Sequence, residues 1–206
     1  FLQTLRFSDV NRSSQDVEYS TNYTKKFKKD GHKFTIDASF SQNNDLENSS
    51  ILGTATIPVN SFISSERITS VQKQGRNLVQ TDYVLPIGKN TQFEAGYQGN
   101  FVKNTTDYSV VRNGIPFPQF TNTLEYKEKV NALYTQFGTK FNKLSMLYGL
   151  RWEDSNIDVN QLATNEFTNK KYNNFFPSAF FTYELSETSD ASISYSKRIQ
   201  RPRGRQ

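Results

Sequence analysis

Apolar and polar residues alternate strictly along several stretches of the chain. In the segment NTQFEAGYQGNF, residues 90–101, the apolar parity consists of Phe93, Ala95, Tyr97, Gly99 and Phe101. Because successive side chains of a strand leave opposite faces of a sheet, this period of two predicts a β-strand with one apolar and one wet face. The alternation alone fits both a soluble sheet on a core and a membrane strand between lipid and water.

Seven further stretches show the same period, so we predict about eight strands in all. Glu128 falls on the apolar parity of the stretch that begins at Leu124 and makes that strand a weaker prediction than the next one along the chain. The apolar positions of the seven stretches are Val17, Tyr19, Thr21 and Tyr23; Phe34, Ile36, Ala38 and Phe40; Val79, Thr81, Tyr83 and Leu85; Leu124, Tyr126, Val130, Ala132 and Tyr134; Leu144, Met146, Tyr148, Leu150 and Trp152; Ala179, Phe181, Tyr183 and Leu185; Ala191, Ile193 and Tyr195.

The predicted connections between these strands alternate between short and long. The short ones are residues 29–31, 86–90, 138–140 and 186–190, and the long ones are residues 43–70, 103–122 and 153–171. A soluble meander has no reason to lengthen every second turn, whereas an outer-membrane barrel has short periplasmic turns and long external loops. We therefore predict an all-β fold, an antiparallel transmembrane β-barrel segment of about eight strands.

The composition favours this fold over its competitors. Only 34% of the residues are hydrophobic, yet 14% are aromatic, with 17 Phe and 11 Tyr, so a soluble sheet would bury many rings with few aliphatic partners. No run approaches the roughly 20 apolar residues of a spanning helix. We expect the aromatic rows to face lipid, with Tyr83, Tyr97, Tyr126 and Tyr148 as candidates for the interfacial girdles.

Candidate chemistry is sparse. The chain has no cysteine and one histidine, His32, which lies next to a predicted turn without a cluster of further ligands or a nucleophile. We expect no catalytic, cofactor-binding or metal site, hence no enzyme, while the ligand-binding residues stay unknown. The net charge of +5 arises from the last ten residues, KRIQRPRGRQ, so there is no spread basic surface for nucleic acid.

The end of the chain resembles a known family. The segment FPSAFFTYELSETSDASISYSKRIQRPRGRQ, residues 176–206, is similar to the barrel of TonB-dependent-receptor-type outer-membrane proteins of Bacteroidota. Residues 82–97 and 134–154 look like the two preceding hairpins of the same barrels. The positions that carry the resemblance are Phe176, Pro177, Ser178, Tyr183, Ser186, Tyr195, Ser196, Arg198, Ile199, Arg201 and Pro202.

The resemblance implies an outer-membrane transporter that takes up a scarce nutrient in a Gram-negative bacterium. Such receptors have an N-terminal plug and close about 22 strands, so we expect residues 1–206 to be part of one barrel domain, incomplete at both ends. The implied partners are outer-membrane lipid, the rest of the barrel and plug, a periplasmic energy-coupling protein bound through the missing N-terminal part, and a surface lipoprotein. Nucleic acid is not among them.

Two alternatives stay open at this stage. One is a complete eight-stranded outer-membrane barrel with a structural or adhesive role, and the other is a soluble β-sheet binding module. The faces provide the sharpest prediction. We expect Phe93, Tyr97, Tyr148, Phe181 and Tyr195 to point to lipid. We expect Glu94, Gln98, Lys129, Arg151 and Ser194 to point to the lumen.

Overall fold

The computed structural model describes residues 3–57 and 61–198 as one antiparallel sheet. The predicted all-β fold is confirmed, and seven long strands and the shorter β9 lie side by side in the order β1-β2-β3-β4-β6-β7-β8-β9, with the two-residue β5 beside β4. A 3-10 helix spans Pro118–Phe120. The strands are β1 Gln3–Lys26, β2 Lys33–Ile57, β3 Ser61–Ile87, β4 Thr91–Arg112, β5 Ile115–Pro116, β6 Asn122–Phe141, β7 Leu144–Gln161, β8 Glu166–Ser186 and β9 Ser189–Ser196.

Tight turns join β1 to β2, β3 to β4, β6 to β7 and β8 to β9 at one end of the sheet. At the other end β2 pairs with β3, β4 with β6 and β7 with β8, and we call these three pairs the far hairpins. The far half of a strand is the half next to that end. Gly31 and Gly88 adopt positive φ angles of 74° and 73° in the first two tight turns, and Asn142 adopts 51° in the third. Glycine and asparagine tolerate this left-handed backbone, which explains why these turns need so few residues. Within residues 3–57 and 61–198, no helix is long and apolar enough to cross a membrane.

The three long connections predicted from the sequence are wrong, because most of their residues belong to strands. Most of residues 43–70 belong to β2 and β3, which pair up to Ala55 and Ser61, and most of residues 153–171 belong to β7 and β8, which are joined by residues 162–165. In the predicted connection at residues 103–122, β4 continues to Arg112, and β6 begins at Asn122. In these segments apolar residues fall on both faces, so the period of two disappears although the backbone ladder continues.

The short connections are placed more accurately. Residues 29–31 lie between strands as expected. The turn predicted at residues 86–90 narrows to 88–90, because Pro86 and Ile87 belong to β3, and the last turn narrows to residues 187–188. The turn predicted at residues 138–140 is wrong, because β6 continues to Phe141 and the turn is formed by Asn142 and Lys143. Phe141 pairs with Leu144, and this pairing extends the hairpin beyond the Gly138 that suggested a turn.

The two faces of the sheet differ in exposure. We call the face of Phe93 the outer face and the face of Glu94 the inner face. The sheet is not closed, since among the described residues β1 pairs only with β2 and β9 only with β8. Buried aliphatic side chains of the inner face are Val84, Val110, Val130, Ala132 and Ile157.

Candidate functional site

Aromatic and aliphatic side chains form a continuous surface on the outer face, next to the tight turns. The register places Phe93 opposite Phe137, Phe137 opposite Tyr148, and Tyr148 opposite Ala179. We call this surface the apolar belt. It consists of Tyr19 and Tyr23 on β1; Phe34, Ile36, Ala38 and Phe40 on β2; Val79, Tyr83 and Leu85 on β3; Phe93, Ala95, Tyr97, Gly99 and Phe101 on β4; Leu133, Phe137 and Phe141 on β6; Leu144, Met146, Tyr148, Leu150 and Trp152 on β7; Phe175, Pro177, Ala179, Phe181 and Tyr183 on β8; and Ala191, Ile193 and Tyr195 on β9.

The apolar belt is open to its surroundings. Tyr19 is 69% exposed, Leu150 45% and Tyr195 60%, although all three belong to the same apolar surface. Soluble monomers rarely expose contiguous apolar areas larger than a few hundred Å². A surface of this extent across eight strands is therefore suited to a lipid environment.

The apolar belt runs obliquely to the strands. On β2 it is centred at residue 37, and the register continues from Asp37 to Asn174 on β8, yet the belt on β8 is centred at residue 179. A displacement of about five residues over about five strand spacings corresponds to an angle of roughly 35°, given about 3.3 Å per residue and about 4.8 Å per spacing. Strands of membrane barrels tilt by about 35–45°.

The five residues predicted to face lipid share the outer face. Phe93 and Tyr195 lie in one register row through Phe137, Tyr148 and Ala179, and Tyr97 and Phe181 have the same parity on their strands. The rings of Tyr148 and Phe181 meet edge to face, with 5.6 Å between their centroids. The Tyr97 hydroxyl donates to Asn131 Oδ1 at 2.8 Å, so its polar end has a partner at the far border of the apolar belt.

Polar side chains of the inner face form a network across four strands. The Arg151 guanidinium donates to Gln98 Oε1 at 2.8 Å and to Glu153 Oε1 at 2.7 Å. The Tyr134 hydroxyl donates to Asp82 two strands away, and the Arg151 guanidinium carbon lies 5.8 Å from the Tyr134 ring centroid. Glu94, Gln98, Arg151 and Ser194, which were predicted to point to the lumen, all lie on this face.

Gly96 makes room for this network. A Cβ atom at Gly96 would overlap the Tyr134 ring, so the ring lies directly over the glycine on its way from β6 to Asp82 on β3. The absence of a side chain at Gly96 is what allows an aromatic ring to cross β4. Close approach of this kind was not apparent from the alternation, although a glycine on the polar parity of an aromatic strand was a usable signal.

The predicted faces of β6 are wrong. Lys129 pairs with Phe101 and therefore lies on the outer face, whereas Tyr126 pairs with Asn104 and lies on the inner face. The apolar row Leu124, Tyr126, Val130, Ala132 and Tyr134 is thus inward, and Glu125, Lys127 and Asn131 are outward. Apolar residues occur on both parities of this strand, and a shift of one residue exchanges the faces. Leu133, Phe137 and Phe141 were the signal that could have corrected the prediction.

His32 is held by aromatic neighbours. Its ring stacks on Phe27 with 4.1 Å between centroids, and its Nε2 atom lies 3.0 Å from the Tyr83 hydroxyl. It is half-buried. Within residues 3–57 and 61–198, no group of three or more His, Cys, Asp or Glu side chains is arranged to hold a metal ion.

Ile199, Arg201 and Pro202 of the closing motif lie outside the described residues.

The chain is similar to known proteins. The sequence profile of the outer membrane protein beta-barrel family matches residues 25–206. No curated protein sequence matches the chain. The ferric citrate transporter FecA, solved in its unliganded form, is 12% identical, with a TM-score of 0.48 over 79% of this chain and 26% of FecA. The ferric yersiniabactin uptake receptor FyuA from Yersinia pestis is 10% identical, with a TM-score of 0.41 over 77% of this chain and 28% of FyuA.

The chain thus spans about a quarter of the length of these two solved structures. The family match covers the strands from the end of β1 to the end of the chain, including the whole of the apolar belt from β2 onward. An apolar belt on one face and a polar network on the other are the two surfaces that a membrane strand needs. The chain therefore belongs to the outer membrane protein beta-barrel family and is a protein of the outer membrane.

Proposed function

We propose that residues 1–206 form part of the barrel wall of a TonB-dependent receptor that takes up a scarce nutrient across the outer membrane. The observation that carries the proposal is an open wall of eight strands whose inner face is polar and whose two edges have no described partner. The closing motif of the sequence, which resembles such receptors, supports it. The proposal is for transport rather than catalysis.

The open edges favour a larger barrel. In lipid, each unpaired backbone N–H or C=O costs several kcal/mol, so spanning sheets close on themselves. The outward edge of β1, Gln3–Lys26, and that of β9, Ser189–Ser196, have no partner among the described residues. Further strands beside both edges would satisfy these groups.

The inner face also favours a wide lumen. An eight-stranded barrel is so narrow that side chains from opposite walls fill it. Here the described hydrogen bonds and ion pairs of the inner face reach at most two strands away, as between Asp82 and Tyr134 or between Gln98 and Arg151. A wall with this reach suits a wide barrel that contains a separate plug.

In such a barrel, the far hairpins, the inner face and the plug would have different roles. The far hairpins project beyond the apolar belt and would recognise the nutrient, since exposed connecting segments are where binding specificity usually resides. The inner polar network around Arg151 would contact the plug. The plug would engage a periplasmic energy-coupling protein, and a surface lipoprotein would cover the far hairpins.

Growth of a deletion strain tests the proposal. Cells that lack the full-length gene are grown with a siderophore, a glycan or a peptide as the only source of iron, carbon or nitrogen. We expect one of these nutrients to fail unless the intact gene is restored, and we expect the restored growth to require the energy-coupling protein. Equal growth of deletion and wild-type strains on the whole panel would contradict the proposal, as would a full-length protein that forms a closed eight-stranded barrel without a plug.

A further inference from the structure

Four lysines lie just beyond the apolar belt on the outer face, on the side of the far hairpins. Lys103 follows Phe101 by two residues on β4, Lys127 lies directly opposite Lys103, and Lys129 lies directly opposite Phe101. Lys171 on β8 lies in the register row of Lys129, with Asn156 between them. We call Lys103, Lys127, Lys129 and Lys171 the lysine arc.

The lysine arc is exposed and only partly neutralised. All four side chains are exposed, and Lys127 has a loose ion pair with Glu125, with 3.7 Å between Nζ and Oε2. For Lys103, Lys129 and Lys171 there is no ion pair with another described residue. Asp158 lies opposite Lys127 but accepts hydrogen bonds from the Asn169 and Asn156 amides at 2.5 and 3.4 Å.

The pairing of Lys103 with Lys127 is unfavourable in itself, and Glu125 balances it only in part. Residues directly opposite in an antiparallel sheet have Cβ atoms about 4.5–5.5 Å apart, and like charges in such pairs destabilise the sheet. Lys103 and Lys127 form such a pair. An anionic group between their ammonium groups would turn this repulsion into two attractive contacts.

The position of the lysine arc along the strands, relative to the apolar belt, indicates which anion it would meet. Lys103 lies two residues beyond Phe101, the last apolar-belt residue of its strand, and Lys129 and Lys171 lie four residues beyond Leu133 and Phe175, the last apolar-belt residues of theirs. These intervals correspond to about 7–13 Å along the strand. Because the far hairpins are on the external side of a barrel with short periplasmic turns, this is the head-group level of the outer leaflet.

We infer that the lysine arc binds the phosphate groups of an outer-leaflet lipid whose acyl chains lie on the apolar belt. Ammonium groups form charge-assisted hydrogen bonds with phosphate oxygens. The backbones at Lys129 and Lys171 are separated by two strand spacings, about 10 Å, which suits a lipid with two phosphates. The inference rests on the apolar belt and the family, not on the proposed transport.

Lipid binding to the purified full-length protein in detergent tests this inference by native mass spectrometry. The probe is lipid A with two phosphates, compared with the same lipid after removal of both. The variant Lys103→Gln/Lys129→Gln removes two charges from the lysine arc. The matched control, Lys143→Gln/Lys170→Gln, removes two exposed charges from a tight turn and from the inner face. Far-UV circular dichroism checks that each variant folds.

We expect Lys103→Gln/Lys129→Gln to weaken binding about 10- to 30-fold and the control to change it less than about twofold. Lys171→Gln, a second and milder variant, should weaken binding about threefold to fivefold. The dephosphorylated lipid should bind the wild-type protein as weakly as the variant binds lipid A, and inorganic phosphate should not compete. Unchanged binding by the variants, an equal loss in the control, equal affinity for the dephosphorylated lipid, or competition by inorganic phosphate would each overturn the inference.

Discussion

The two halves of each long strand differ in how apolar and polar residues are distributed over the two faces. In the half next to the tight turns, the outer face is the apolar belt and the inner face is polar. In the far half, apolar residues occur on both faces, such as Leu46 on the outer face and Ile157 on the inner face, and exposed contacts such as the ion pair between Arg12 and Glu47 at 2.8 Å link the strands. Backbone pairing continues through both halves without a change of topology.

The difference shows how far the membrane dictates the sequence. Seven of the long strands have 18–27 residues, whereas a tilted strand needs only about 9–11 to cross the hydrocarbon core. Alternation is required only where the two faces meet different media. Beyond the lipid both faces meet water, and hydrogen bonds between neighbouring strands suffice to hold the hairpin.

The largest expected effect comes from a charge placed in the apolar belt. Phe181→Arg should destabilise the full-length barrel by about 2–4 kcal/mol, because the guanidinium would face lipid. Thr182→Arg, its neighbour on the inner face, should cost little. Chemical unfolding of the protein refolded in lipid vesicles measures both. Equal tolerance at the two positions would contradict the assignment of the faces, and the opposite ranking would mean a register error of one residue.

A second pair of variants compares the two halves of one strand on the same face. Ile36 lies in the apolar belt of β2, and Leu46 lies on the same face ten residues further, in the far half. Ile36→Arg should cost about 2 kcal/mol more than Leu46→Arg, since only Ile36 is in contact with lipid. The unfolding midpoints of both variants in vesicles test this difference. If Leu46→Arg were as damaging, the lipid boundary would lie further along the strand than the apolar belt indicates.

The inner face should respond to crowding rather than to charge. Gly96→Ala should destabilise the protein by about 1–3 kcal/mol, because the new methyl group would displace the Tyr134 ring. Gly75→Ala is the control, since the nearest heavy atom to its new Cβ would be the Lys103 carbonyl oxygen at 4.0 Å. Thermal unfolding of the two variants provides the comparison. A neutral Gly96→Ala would show that the ring has another stable position.

The smallest effect is expected in the far half. Arg12→Gln removes the ion pair between Arg12 and Glu47. The Arg12 side chain is 74% exposed and the Glu47 side chain 41%. Exposed pairs contribute little, so the free energy of unfolding should change by less than about 0.5 kcal/mol. Unfolding at low and high salt measures it. A loss above about 1 kcal/mol would indicate that the far hairpins are held by charge rather than by the backbone ladder.

Residue identity was sufficient to predict the apolar belt wherever one parity alone is apolar. On β4, β7 and β8 the rows of Phe93, Tyr148 and Phe181 lie on the predicted face. On β6 both parities contain apolar residues, and only the pairing with β4 showed that Leu133 and Phe137 complete the apolar belt and that Lys129 faces outward. Alternation defines two faces within a strand, but it does not define which face of one strand meets which face of the next.

The sequence by itself determined the fold class, the approximate number of strands, the tight turns at Gly31 and Gly88, and the division of seven of the eight predicted strands, all but β6, into apolar and polar faces. Tertiary structure alone decided the length of the far hairpins, the orientation of β6, the passage of Tyr134 over Gly96, and the lysine arc. The physical reason is that side-chain periodicity is a local property, recorded along one strand wherever its faces meet different media. Register, close approach and clusters of charge depend on neighbouring strands, which the order of residues along the chain does not specify.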